Sequence, residues 1–264
     1  MMKFIPVVAL SAVALSAAAH AEPGRYTGFH AGVFGGYSMG HTKANMKFNR
    51  NQSDATQLDI LNEKSNTNLS GTGGIGGLEL GYTKDFGKAA LGVVAHGLFG
   101  GPKGKAKSSI VHTDNLVGTP YDQDLTSTRV RAKRKNAFGL TVRPGVTLGD
   151  GLLSLVMGWE RAKWEVRRLD STTFVLAGVP GRAVNNPYKV LPAKGNKSLN
   201  GWILGAAATM PLSQRVFIEA EYRHVWYSKI KSHKGKSANA DMRNYHVSFK
   251  PHVGDALVKL KYKW

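Results

Sequence analysis

From Val258 to Trp264 the chain alternates apolar residues with lysine. Val258, Leu260, Tyr262 and Trp264 fall at one parity, Lys259, Lys261 and Lys263 at the other. A strand has period two, so the two sets stand on opposite faces, whereas no helix separates them. One face requires lipid or a core and the other requires water. A strand of this kind, ending on an aromatic residue, is what closes a bacterial outer-membrane barrel.

Seven more strands of the same kind precede it. Phe29, Ala31, Val33 and Tyr37 alternate with His30, Gly32, Phe34 and Gly36; Leu78, Leu80 and Tyr82 with Gly77, Glu79 and Gly81; Leu91, Val93, Ala95 and Phe99 with Gly92, Val94 and His96. Phe138 to Leu148, Leu153 to Glu160, Trp202 to Thr209 and Val216 to Trp226 repeat the pattern. Tight turns at Lys84–Lys88, Gly149–Gly151 and Pro211–Gln214 alternate with long polar stretches, Met39–Leu69, Gly100–Arg129, Arg168–Lys197 and Ser228 to about Gly254. Short turns at one end and long loops at the other are the membrane-barrel pattern, and a soluble sandwich has no reason to adopt it. The predicted fold is all-β: an eight-stranded antiparallel transmembrane barrel with short periplasmic turns and four long extracellular loops. Ten strands result if Tyr245–Phe249 and Thr173–Val179 form a further pair. Pro144 lacks a ladder donor and predicts a bulge.

The N-terminus has the form of a secretory signal. Met1-Met2-Lys3 is basic, Phe4–Ala18 is apolar or small, and Ala19-His20-Ala21 fits an A-x-A cleavage site. Residues 1–21 are thus expected to be a signal peptide and 22–264 the barrel domain. The apolar run is too short for a membrane-spanning helix. The formal charge is +19, and loss of Lys3 leaves +18. In an exported chain so basic a balance points to lipopolysaccharide phosphates or host polyanions, with no nucleic acid expected. The 31 glycines cluster in the strands, where a narrow lumen leaves little room for side chains.

The inner parity is glycine plus charge: Glu79, Arg143, Glu160, Glu219, Glu221, Arg223, Lys259 and Lys261. These form either a paired-charge plug or the lining of a narrow aqueous path. Eight strands leave an interior just wide enough for side chains, which favours the plug. The outer parity carries aromatics near strand ends, Tyr82, Phe99, Phe138, Trp159, Trp202, Tyr262 and Trp264, as interfacial girdles would. Lys103, Lys105, Lys107, Arg131, Lys133, Arg134 and Lys135 flank the second loop, and Lys229, Lys231, Lys234 and Lys236 fill the fourth. They either grip polyanions or form solvated rims.

Other motifs carry less. Gly71–Gly76 matches G-x-G-x-x-G but precedes a strand, not the helix a dinucleotide site needs. The histidines are scattered, with His246 and His252 nearest to a cluster, so no cofactor or metal is expected. A lipid A-modifying enzyme needs a nucleophile and base at the lipid interface. Ser154 and His96 are candidates that nothing in the sequence links, and no catalytic residue is assigned.

Gly28-Phe29-His30-Ala31-Gly32, Gly77-Leu78-Glu79-Leu80-Gly81-Tyr82, Leu91-Gly92-Val93-Val94-Ala95, Leu140 to Gly145, Gly201 to Ala206 and Ala220-Glu221-Tyr222-Arg223 resemble the small outer-membrane barrels of the OmpA-like and opacity-type group. The resemblance is strongest to the alpha-proteobacterial surface-antigen "porin family". It implies a structural, surface-adhesive barrel that maintains membrane integrity, contacts lipopolysaccharide and attaches to host surfaces. Alternatives within it are a small, weakly anion-selective pore and a haem-binding surface protein. It also implies that Trp264 serves the barrel-assembly machinery, although the family usually ends in phenylalanine.

Overall fold

A computed structural model describes residues 24–48, 63–114, 122–176, 193–231 and 245–264. The expected signal peptide lies outside the described residues, as do Lys234 and Lys236. The strands are β1 (Gly28–Phe48), β2 (Glu63–Asp85), β3 (Ala89–Gly100), β4 (Lys103–Asp114), β5 (Asp122–Leu148), β6 (Gly151–Leu176), β7 (Ala193–Pro211), β8 (Val216–Tyr227), β9 (Ile230–Lys231) and β10 (Tyr245–Lys263).

They form eight antiparallel staves. Two of these are interrupted. β4 continues β3 in unchanged register against β2, from Ile75↔Gly100 to Ser70↔Lys105. β9 extends β8 along β10 with a one-residue slip. The order β1-β10-β8-β7-β6-β5-β3-β2 closes on itself through the β1–β2 pairing. The closing seam runs from His30↔Lys263 to Phe48↔Tyr245, so the terminal alternating run does pair with the first strand.

Across the apolar band each stave sorts its residues as the period-two reading requires. Along β1 the outward positions from Phe29 to Met39 lie in surroundings of Leu78, Leu80, Val258 and Leu260, all exposed. Ten residue steps at about 3.3 Å, tilted by about 40°, span roughly 25 Å, the height of a bilayer-facing band. Aromatics border the band. Phe29, Tyr82, Tyr262 and Trp264 stand at the short-turn rim, and Phe99, Phe138, Trp202 and Trp226 at the other. Phe29 packs on Tyr82 at 4.9 Å and Phe138 meets Trp159 edge-on at 5.9 Å.

The turns at the short rim are locally encoded. Gly87 and Gly149 take positive φ (94° and 58°), the Gly87 amide donates to Asp85 Oδ1, and Ser213 Oγ accepts from Arg215 N and Val216 N.

Three expectations are corrected. The strands run far into the predicted loops: β1 continues to Phe48, β2 starts at Glu63, β4 and the first half of β5 form a paired hairpin, and β10 starts at Tyr245. There is no fifth pair of staves among the described residues. Tyr245–Phe249 is the upper part of β10, and Thr173–Leu176 continues β6 against β5. Residues 177–179 lie outside the described residues. Pro144 makes no bulge. Val142↔Met157 and Gly145↔Ser154 share one register, and the shift falls between Arg134 and Asn136. The β5–β6 ladder omits Arg143 and Pro144 and resumes unshifted at Gly145, while Pro144 stays in register with Leu91 of β3.

Candidate functional site: the ion-paired lumen and the basic rim

The interior is filled in tiers. A floor at the short-turn rim is built by Tyr26, Ala90, Leu152 and Phe217. The turn before β1 carries Tyr26 into the barrel mouth, its ring 5.5 Å from Phe217, its hydroxyl donating to Asp150 O at 2.5 Å. Arg25 pairs with Asp150 beside it (2.5 Å). Burial pushes the Tyr26 hydroxyl up to about 12; Arg25 opposes this, and Asp150 and Asp85 add to it. Above the floor lies a cavity of about 40 Å³ bordered by His30, Ser154 and Thr209, room for a water molecule or two.

The lower charge tier follows. Arg143 from β5 reaches Glu219 (2.7 Å) and Glu221 (2.9 Å) on β8 across the lumen. Lys259 meets Glu79 (2.7 Å), Glu221 (2.5 Å) and Glu219 (3.1 Å), and Lys261 meets Glu79 (3.1 Å) and Glu219. Thr209 Oγ1 donates to Glu219 Oε2 at 2.8 Å. Three acids thus face three bases. The upper tier is centred on Arg134, which donates to Asp255 (2.8 and 3.2 Å), Ser38 (3.1 Å) and Tyr227 (3.3 Å). Ser38 donates to Asp255 at 2.5 Å, and the Tyr227 hydroxyl donates to Glu160. Arg223 links the tiers, 3.3 Å from Asp255, 3.4 Å from Glu160 and 3.9 Å from Glu221. His96 Nε2 lies 3.1 Å from Arg223 and 3.4 Å from Glu160. Apolar side chains, including Leu98, Val156, Val225 and Val253, fill the remaining section.

All eight residues of the predicted lumen network are brought together. Arg134 is the correction. The basic run groups it with the loop lysines, yet it is 0% exposed inside the barrel, as are Glu160 and Asp255. The Arg134/Asn136 bulge is the cause: the extra residue lets Arg134 turn inward while Lys135 turns outward to Glu165 (2.8 Å). Gly100 and Gly101, both at positive φ, break β3 from β4 beside it, and a Cβ on Gly101 would lie 2.6 Å from Arg134 Nε.

Asp255, Ser38 and Tyr227 are lumen partners that the sequence reading does not name, yet each keeps the inward parity of its own strand and is found by extending it. Lys259 and Lys261 pair with Glu79 and Glu219, and Lys259 also with Glu221. Neither reaches Glu160, which the upper arginines take. Lys263 instead donates to Arg25 O at the floor.

The remaining candidates are dispersed. Lys103, Lys105 and Arg131 are exposed and Lys133 half-buried at outward positions above the upper aromatics, with Lys107 in register beyond them. Lys229 is exposed near the end of β8, and Lys231 lies in β9. Ser154 and His96 both point into the packed lumen, away from the lipid interface an acyl-modifying enzyme needs. His252 faces His41 in register, its ring 6.1 Å from His224. Among the described residues no group of three or more His, Cys, Asp or Glu could hold a metal. Gly71–Gly76 lies within β2, with no helix after it.

A closed eight-stranded barrel with an apolar outside and an ion-paired inside is a transmembrane barrel of the Gram-negative outer-membrane type. No family model matches the chain, and no curated protein matches it. Among solved structures it is similar to the attachment invasion locus protein Ail of Yersinia pestis (12% identity, TM-score 0.29, covering 88% of this chain and 99% of that one). It is also similar to OprG of Pseudomonas aeruginosa (12%, 0.38, 93% and 100%) and to the outer membrane protease OmpT of Escherichia coli (8%, 0.39, 90% and 97%). The likeness extends to the barrel alone.

Proposed function

We propose that this protein is a structural outer-membrane barrel and surface protein, of the OmpA-like or opacity-type kind. Its short turns face the periplasm, and its basic rim contacts lipopolysaccharide or other polyanions outside. The carrying observation is the filled lumen. Arg134, Glu160 and Asp255, from three different strands, meet at 0% exposure in the centre of the barrel, and a second balanced tier lies beneath them. A molecule closed along its axis acts through its surface, which speaks against the anion-selective pore. Trp264 is exposed at the lower aromatic belt, its amide donating to Phe29 O, where the barrel-assembly machinery would read it.

Reconstituted into a planar bilayer, the protein should insert without steady conductance. Stable, reproducible channels would overturn the closed-barrel reading. Lipopolysaccharide and heparin binding should weaken as salt rises, because exposed charges are screened. Salt-independent binding would remove the electrostatic account of the rim.

A further inference from the structure

Above the upper aromatic belt the cations of the outer wall are densest on one flank. On β6, Trp159 is followed at the outward positions by Arg161 and Lys163, both exposed. On the neighbouring strands Lys103 stands opposite Lys133, and Lys105 opposite Arg131. Like charges directly opposite in an antiparallel pair are destabilising, and here two such pairs stand in consecutive outward rows. The second row continues across the sheet: Arg131 is in register with Arg167, and Arg167 with Lys194. It therefore places a cationic residue on each of four adjacent strands about 4.8 Å apart. Among residues whose side chains are described, Glu165 is the one acid on this flank; it stands in register with Lys133 at the end of the first row and pairs with Lys135. On the far side of the barrel the outward positions at this height are Trp226, His252 and His41, with a single opposed cation pair, Lys43 and Lys250, in the next row.

Repulsion of this kind persists in a stable wall when an anion neutralises it. Orientation identifies the anion. Ala132, between Arg131 and Lys133, is buried on the inner side, so the cations project sideways from the wall rather than upward from loop tips. They begin two residues above Trp159 and end eight above it. At about 3.3 Å per residue and a tilt of about 40°, that is roughly 5–20 Å beyond the belt. This is the layer of the glycolipid head groups that surround the barrel. A polymer arriving from solution meets the loops first.

From this we infer that the β4–β6 flank is a lateral seat for the phosphate groups of lipopolysaccharide, with Lys103, Lys105, Arg131 and Lys133 as its centre and Arg161 and Lys163 as its lower edge. Two or three neighbouring cations can share one phosphate, and arginine can grip it bidentately. The inference rests on the outer-membrane placement proposed above and fixes which partner and which side of the barrel the basic rim serves.

The test compares the full-length folded protein with two variants, Lys103→Gln/Lys105→Gln/Arg131→Gln/Lys133→Gln and, on the far flank, Lys229→Gln/Lys250→Gln. The probes are phosphorylated lipopolysaccharide, the same lipopolysaccharide dephosphorylated, and heparin. Folding is checked by the gel shift between boiled and unboiled samples. The four-residue variant should be at least as stable as the parent and bind phosphorylated lipopolysaccharide about tenfold more weakly or worse. The far-flank variant should bind normally, and dephosphorylation should weaken the parent without further effect on the four-residue variant. Unchanged lipopolysaccharide binding by the four-residue variant overturns the seat while leaving the basic-rim reading intact. So does loss of heparin binding alone, which would make the flank a site for soluble polymers. If the folded parent binds none of the probes, the broader reading falls as well.

Discussion

Arg134 and Lys135 are adjacent, both basic, and indistinguishable by any rule of composition or spacing. One register shift gives them opposite environments. Arg134 is held at the centre of the barrel by Asp255, Ser38 and Tyr227, and Lys135 reaches Glu165 with its side chain 38% exposed. Removing one member of a buried ion pair leaves its partner charged, desolvated and alone, which costs roughly 3–5 kcal/mol, whereas an exposed pair is worth about 0–1 kcal/mol. Arg134→Leu should therefore lower the urea midpoint of the folded barrel in lipid vesicles by several kcal/mol equivalent, and Lys135→Gln should barely move it. Equal effects would mean that the bulge does not turn Arg134 inward. The sequence carries no flag for this bulge, because an extra residue inside a basic run leaves both parities looking polar. The carboxylate that Arg134 needs was legible in principle: Asp255 shares the parity of Leu257, Lys259 and Lys261.

Strands that cross the hydrophobic layer were legible along their whole apolar length, and the reason is the solvent around them. Lipid outside and a packed lumen inside force opposite chemistries on alternate residues. Beyond the aromatic belt both faces can be polar, as in Lys64-Ser65-Asn66-Thr67-Asn68 of β2, which still pairs residue by residue with β1. The alternation stops where the lipid stops and the backbone ladder continues, so the loops read from the sequence were too long at every turn of the upper rim. The seam between β1 and β10 depends on another property, close approach. A Cβ on Gly36 would stand 2.0 Å from Ala256 O, whereas one on the neighbouring Gly35 meets nothing within 4 Å. Gly36→Ala should push the closing strands apart and cost roughly 1–3 kcal/mol. Gly35→Ala should be neutral or slightly stabilising. The fraction of unboiled protein that migrates as folded is the readout, and a normal folded fraction for Gly36→Ala would show that the seam has slack.

At the scale of the whole molecule the protein carries two electrostatic systems. Inside, Arg134, Arg143, Arg223, Lys259 and Lys261 balance Glu79, Glu160, Glu219, Glu221 and Asp255, five against five. Among the described residues the interior thus contributes nothing to the formal charge of +19, and the unpaired cations lie outside it. The two systems differ in exposure, and salt separates them. A Debye length of about 3 Å in about 1 M salt screens charges that water reaches and leaves dry pairs nearly untouched. Raising salt from about 0.05 M to about 1 M should shift the urea midpoint of the barrel only slightly, and relief of repulsion among the outer cations should make the shift upward. Over the same range the affinity for lipopolysaccharide should fall at least tenfold, since the proposed contact lies in the screened layer. A barrel that loses stability steeply with salt would have ions reaching Arg143 and Lys259. The lumen would then be a wet path and not a plug, and bilayer recordings of the same preparation should show it conducting.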